Sequence, residues 1–214
     1  MEIRKEEYVS RALKLFLEKG YEDTTIRDIA ASCGISHSKL IYHFRNKAAL
    51  GLRISEGYLS WLLSRIDSAE YRGVEDIHVS NRIMWWSLHY SVISFHRDFA
   101  RFYLELNSGS ANAFLEATHA LEQRIFESRF GINMIYDSSA LQIDDYLLNS
   151  LDIALYRLCF EDRMTPAGAA CRLLTSGVMP AMKTEVTVKE IEDFMDKYRV
   201  DETAKGFDPM GLIQ

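Results

Sequence analysis

Three consecutive hydrogen-bonding side chains, His37, Ser38 and Lys39, stand in a stretch where basic residues outnumber acidic ones. Within 24–53, Arg27, Lys39, Arg45, Lys47 and Arg53 face only Asp28, a local charge of +4. Cations for phosphates and polar groups for base edges are what nucleic-acid binding requires. The chain's net charge of -6 argues the other way, yet it is unevenly spread: residues 1–56 carry +2 and residues 57–214 carry -8. Metal binding is a second candidate chemistry. Glu75-x-x-His78 and Glu116-x-x-His119, with Glu56 and Glu105 as further glutamates, reproduce the ligand set of a di-iron carboxylate bundle enzyme. Against it, Glu75 lies two residues after Gly73, at a helix start and not in the middle of a bundle. Cys33, Cys159 and Cys171 lack metal-type spacing, and there is neither a glycine-rich phosphate cradle nor a nucleophile elbow. The sequence therefore implies no cofactor, no metal and no enzyme activity.

The elements that must position His37–Lys39 are legible in the apolar spacing. Val9, Ala12, Leu13, Phe16 and Leu17 form one stripe on a helix over about 3–19, stopped by Gly20. Thr25, with Asp28 three residues on, caps a short second helix whose inner side is Ile26, Ile29 and Ala30. Gly34 ends it, and Ser36 caps a third helix over about 37–44, anchored by Leu40 and Phe44. Asn46 opens a longer fourth helix with the stripe Leu50, Ile54, Tyr58, Trp61, Leu62 and Ile66. Two short helices around a glycine turn make a helix-turn-helix, whose second helix enters the major groove by its early residues.

Residues 8–50 resemble the DNA-binding head of the tetracycline-repressor (TetR) family of bacterial regulators. The resemblance rests on Ala12 to Phe16, Gly20-Tyr21, Thr24-Thr25-Ile26, Asp28-Ile29-Ala30, Gly34-Ile35-Ser36, and Leu40 through Tyr42-His43-Phe44-Arg45-Asn46-Lys47 to Leu50. The chain departs from the family pattern at Ile41, where tyrosine is frequent, and at Ala48-Ala49, where acids are. The resemblance implies a double-stranded DNA operator as partner. It makes Tyr42, His43 and Lys47 phosphate contacts, Thr25 and Arg27 contacts to backbone or groove edge, and His37, Ser38 and Lys39, beside the cap Ser36, base readers.

The remainder reads as an all-α bundle, giving about nine to ten helices in all: a helix-turn-helix domain over 1–50, a ligand-binding and dimerisation domain over 51–200 and a loose tail over 201–214. Seven aromatics fall between Trp85 and Tyr103. In the resembled family this part encloses an apolar ligand pocket, which makes Trp61, Trp85, Trp86, Tyr90, Tyr103 and His119 candidates for an apolar or aromatic small-molecule ligand. Leu147, Leu151, Ala154, Leu155 and Leu158 form one apolar stripe, with Leu148 and Tyr156 off it. The next helix, capped by Thr165 and opened by Pro166, carries Ala170 and Leu174 and ends at Gly177. Surplus apolar surface on two adjacent helices predicts a homodimer through a two-fold four-helix contact. An odd cysteine count fits a reducing, cytoplasmic setting. The longest uncharged run, Ile83–His96, is too short for a membrane span. The chain thus reads as a ligand-responsive transcriptional regulator, in family habit a repressor, binding a palindromic operator as a dimer. The alternatives are the di-iron enzyme and a regulator acting only through protein contacts.

Overall fold

A computed structural model describes residues 4–68, 76–109, 128–130, 140–178 and 183–213. These residues form ten α-helices and a short 3-10 helix at Pro209–Leu212. Glu75, Glu116 and His119 lie outside the described residues. The chain divides into two compact units, residues 1–61 with 98–119 and 208–214, and residues 62–97 with 120–207.

The first unit is built on α1 (Lys5–Lys19), α2 (Ile26–Ser32), α3 (His37–His43), the first part of α4 (Lys47–Ser68) and α6 (Arg97–Gly109). The α1 stripe is buried as its spacing requires, with Tyr8, Val9, Ala12, Leu13 and Phe16 all inside. Ile29, Ala30 and Leu40 close the core from α2 and α3. Leu50, Ile54 and Tyr58 of α4 are fully buried, while Trp61 is half-buried and stacks on Tyr58 at 6.2 Å. The sequence reading ended this domain at residue 50, whereas α6 from mid-chain supplies a large part of its core. Phe102 stacks on Phe16 at 5.3 Å, Arg101 donates to the Leu17 carbonyl at 2.7 Å, and Glu105 accepts from the Glu22 N–H at 3.0 Å. These two side chains satisfy backbone groups near the end of α1 that the helix cannot satisfy itself.

In the second unit α5 (Ile77–Phe95), capped by Asp76, is buried on every side from Ser80 to Ile93. That makes it the centre of the unit, because a helix without a polar face must be enclosed. Around it pack α7 (Ala140–Phe160), α8 (Pro166–Thr175), α9 (Val188–Lys197) and α10 (Val200–Lys205). Leu148, Leu155, Tyr156 and Cys159 of α7 point inward. Leu147 is 50% exposed, Ala154 is exposed, and Leu151 and Leu158 are half-buried. The expected interface stripe is therefore corrected at Leu155, which is core. It is corrected too at Ala170 and Leu174, which are 0% and 1% exposed within the chain and already packed. Gly177 stays half-buried at the end of α8, with φ +70.

Where the sequence predicts a loose tail over 201–214, the described residues form α10 and the 3-10 helix Pro209–Leu212. Val200, Ala204 and Phe207 form an apolar stripe at helical spacing and are buried. Ser91 donates to Asp201 at 2.8 Å, and a ring nitrogen of His96 lies 2.8 Å from the Ala204 carbonyl. Beyond it, Asp208 caps the 3-10 turn, whose Leu212 carbonyl oxygen sits only 2.8 Å from where a Cβ on Gly57 would stand. Glycine at 57 is what permits that approach.

Candidate nucleic-acid interface

The helix-turn-helix is held rigid by local chemistry at each junction. At the start of α2 the Thr25 hydroxyl accepts from the Asp28 N–H at 3.1 Å. Asp28 in turn accepts from the Thr25 N–H at 2.9 Å and its hydroxyl at 2.8 Å. Those two bonds, the backbone one first, hold the Asp28 carboxyl below the ordinary carboxylate range. At the other end of α2, Gly34 takes φ +65 while its N–H donates to Ala31 and the Ile35 N–H donates to Ala30. This is a Schellman closure, and the left-handed residue it needs is costly for anything but glycine. Ser36 then caps α3 by accepting from the Lys39 N–H at 3.2 Å. Leu40 is fully buried, and Phe44 meets Tyr8 edge-on at 6.4 Å.

This frame leaves polar side chains of α2, α3 and their caps in solvent. Thr25, Arg27, Ser36, His37, Ser38 and Lys39 are all exposed. Tyr42 is 86% exposed, an aromatic projecting into solvent from a seven-residue helix. His43 packs between it and Tyr8, at ring distances of 5.3 and 5.4 Å. Among the described residues Arg27, Lys39 and Arg45 form no ion pair, so their charges are uncompensated. Arg45, in the α3–α4 turn, belongs to the basic segment, and its place between Tyr42 and Lys47 is the sequence signal for a role beside them.

Lys47 is placed differently from its neighbours. Its Nζ donates to the Tyr21 carbonyl at 2.6 Å and the Glu22 carbonyl at 3.3 Å, and lies 4.2 Å from the centre of the Tyr21 ring. Burial lowers its pKa against the pull of Glu22, Glu105 and Asp23. The side chain is therefore a strut between α4 and the α1–α2 corner, while Asn46 caps the helix by accepting from the Ala49 N–H at 2.9 Å. The remaining N–H groups of that first turn have no intrahelical acceptor.

The aromatic ligand candidates fall in two units. Trp61 and Tyr103 both pack on Tyr58 in the first, Tyr103 at 5.6 Å. In the second, Trp86 stacks on Tyr90 at 6.2 Å, whereas Trp85 packs separately, edge-on to Phe130 at 5.8 Å. Tyr90 donates to Asp152 at 2.6 Å, and His89 lies beside Tyr156 at 5.0 Å. His89, Asp152 and Tyr156 are absent from the sequence-derived set, because nothing in the local pattern brings α5 and α7 together. Of the proposed iron ligands, Glu56 is paired with Arg53 at 2.7 Å, Glu105 holds the Glu22 N–H, and a His78 ring nitrogen is 3.1 Å from the Arg129 carbonyl. No helix among the described residues is long and apolar enough to cross a membrane.

Comparison with known proteins agrees with this geometry. Residues 9–54 match the family model described as bacterial regulatory proteins, tetR family. A 70-residue stretch is 36% identical to the HTH-type transcriptional regulator YerO of Bacillus subtilis (strain 168), covering 33% of this chain and 24% of that protein. Over 62 residues the chain is 36% identical to the HTH-type transcriptional repressor KstR2 of Mycolicibacterium smegmatis, covering 29% of this chain and 30% of the relative. The chain thus spans less than a third of the length of these curated relatives. A solved TetR-like transcriptional regulator from Rhodococcus sp. RHA1 aligns over 83% of this chain and 95% of its own, at 17% identity and a TM-score of 0.48. Residues 9–54, which carry the helix-turn-helix, are thus similar to the tetR family of bacterial regulatory proteins.

Proposed function

We propose that the protein is a dimeric, ligand-responsive transcriptional regulator, acting in the cytoplasm as a repressor on an approximately palindromic operator. The observation that carries this reading is the exposed face of His37, Ser38 and Lys39 on a helix fixed from behind by Leu40 and capped by Ser36. These three read bases in the major groove, while Arg27, Thr25, Tyr42, His43 and Arg45 flank them toward the phosphates. Two such heads engage half-sites one helical turn apart, about 34–36 Å. The engaged state of Glu56 and Glu105 favours this over a di-iron enzyme. The test is titration with the DNA beside the protein's own coding region at several salt concentrations. Affinity should fall linearly on a log–log plot against salt. Lys39→Ala should relax sequence preference by about 1–3 kcal/mol at one base position. Lys47→Ala should weaken all sequences alike, flatten the salt slope by about one, and also loosen the α1–α2 corner that its Nζ holds. Binding that ignores salt would support instead a regulator acting through protein contacts.

Dimerisation is assigned to the outward stripe of α7, namely Leu147, Leu151, Ala154 and Leu158, beside the open end of α8 at Gly177. The support is that Leu147 and Ala154 remain exposed on a helix whose opposite side is packed. A charge set into such a contact is left unpaired, so Leu147→Asp should raise the dimer dissociation constant at least about tenfold. Sedimentation equilibrium reads this directly, and an unchanged dimer would move the interface elsewhere. A ligand releases DNA only if it binds the two arrangements of the dimer with different affinity.

A further inference from the structure

The second unit holds one carboxylate whose surroundings are unlike those of any other acid described. Asp152 lies on the inner side of α7, between Leu148 and Tyr156, and its side chain keeps only 17% exposure. Tyr90 donates to one of its oxygens at 2.6 Å. The other oxygen is 3.9 Å from His89 Nε2, beyond hydrogen-bond distance. Among the described residues no lysine or arginine pairs with Asp152. Burial drives His89 to about 3, so the imidazole brings no positive charge at neutral pH. Aromatic rings pack on the two groups that face the acid: Trp86 stacks on Tyr90 at 6.2 Å, and Tyr156 lies against His89 at 5.0 Å. The indole N–H of Trp86, a residue 6% exposed, has no acceptor among the described residues.

A carboxylate drawn into apolar surroundings without a cation is expensive, and an incoming positive charge relieves that cost. Aromatic rings packed on the acid's neighbours add cation–π attraction for the same charge. A lone structural acid of this kind is served as well by a neutral side chain, whereas a recognition site needs the charge, a reachable oxygen and an unmet donor. We infer that Trp86, Tyr90, Asp152 and Tyr156 form the recognition site for an organic cation, a protonated or quaternary amine with an aromatic body. The ammonium pairs with the free oxygen of Asp152, the body lies on the Trp86 and Tyr156 rings, and an acceptor on the ligand meets the Trp86 N–H. This deepens, and rests on, the reading of the chain as a ligand-responsive regulator, since it names the ligand's class.

The experiment is calorimetric titration of the full chain at pH 7.5, without DNA, using benzyltrimethylammonium, its neutral carbon isostere neopentylbenzene, and benzenesulfonate. The cation should bind at least about tenfold more tightly than the isostere, and the sulfonate not measurably. Asp152→Asn keeps an acceptor for Tyr90 and should erase the preference while leaving neopentylbenzene unchanged. Should that variant fail to fold, the near-isosteric Asp152→Leu reads the same loss. Equal affinity for cation and isostere, no binding of the cation, or an undiminished preference in the folded variant overturns the assignment. Operator binding by the same sample, measured by fluorescence anisotropy, separates the two readings. Cation binding with no DNA binding defeats the regulator and leaves the site standing.

Discussion

Asp152→Asn and His89→Gln should tilt the pH dependence of stability in opposite directions, each by about 1.4 kcal/mol per pH unit relative to the unsubstituted chain. Burial raises Asp152 from 3.8 to about 7 and lowers His89 from 6.5 to about 3. A raised carboxyl contributes stability that is complete below its unfolded value and is lost as pH climbs to 7. A lowered imidazole contributes stability that is complete above 6.5 and is lost as pH falls toward 3. Between about 4 and 6.5 the two slopes cancel: the folded chain carries a proton on Asp152 where the unfolded chain carries one on His89. Removing Asp152 exposes the histidine slope, so the variant gains stability as pH rises through that window. Removing His89 exposes the acid slope, so that variant loses stability over the same range. Urea unfolding at pH 4.5, 5.5 and 6.5, followed by circular dichroism, measures both differences. Parallel pH profiles for all three proteins would show that the pair is not titrating in this way.

The opposed titrations show why one half of the molecule was legible in the sequence and the other was not. The head is specified by signals that act over three or four residues: the Thr25–Asp28 capping box, the left-handed Gly34, the Ser36 cap and the Leu40 anchor. Each is a local bond or a local conformational demand, so spacing alone locates it. The Asp152–Tyr90 bond joins residues 62 positions apart, and Phe16 meets Phe102 from α1 to α6. Neither pair leaves a periodic trace. On α7, Leu147 and Leu148 are equally apolar, and only packing decides that Leu148 turns inward while Leu147 stays half exposed. Lys47 carries a second role that charge alone does not reveal. Its cation belongs to the basic segment by sequence, and its Nζ also donates to two carbonyls of the α1–α2 corner. Arg27, Lys39 and Arg45 are the cations of that segment left exposed without an ion pair among the described residues.

Phe102→Ala should destabilise the DNA-binding head although it lies far from the helix-turn-helix in sequence. The ring is fully buried, stacked on Phe16 at an interplanar angle of 7°, and in contact with Phe99 at 5.8 Å and Tyr21 at 6.2 Å. Deleting a buried phenyl group costs about 3–5 kcal/mol, from lost transfer energy and the cavity left behind. Arg101 and Glu105, on the same helix, bond to backbone groups at the end of α1 and in the corner after it, so loosening α6 also frees those groups. Tyr21 is part of the same cluster and carries the carbonyl that holds Lys47, which extends the effect to the start of α4. Hydrogen exchange should therefore show the amides of Ile29, Cys33 and Leu40 losing about two to three orders of magnitude of protection. Lys39→Ala, confined to the exposed face, should leave them unchanged. If the amides of α2 and α3 stay protected in Phe102→Ala, the head is stable on its first 50 residues alone, and α6 only leans on it.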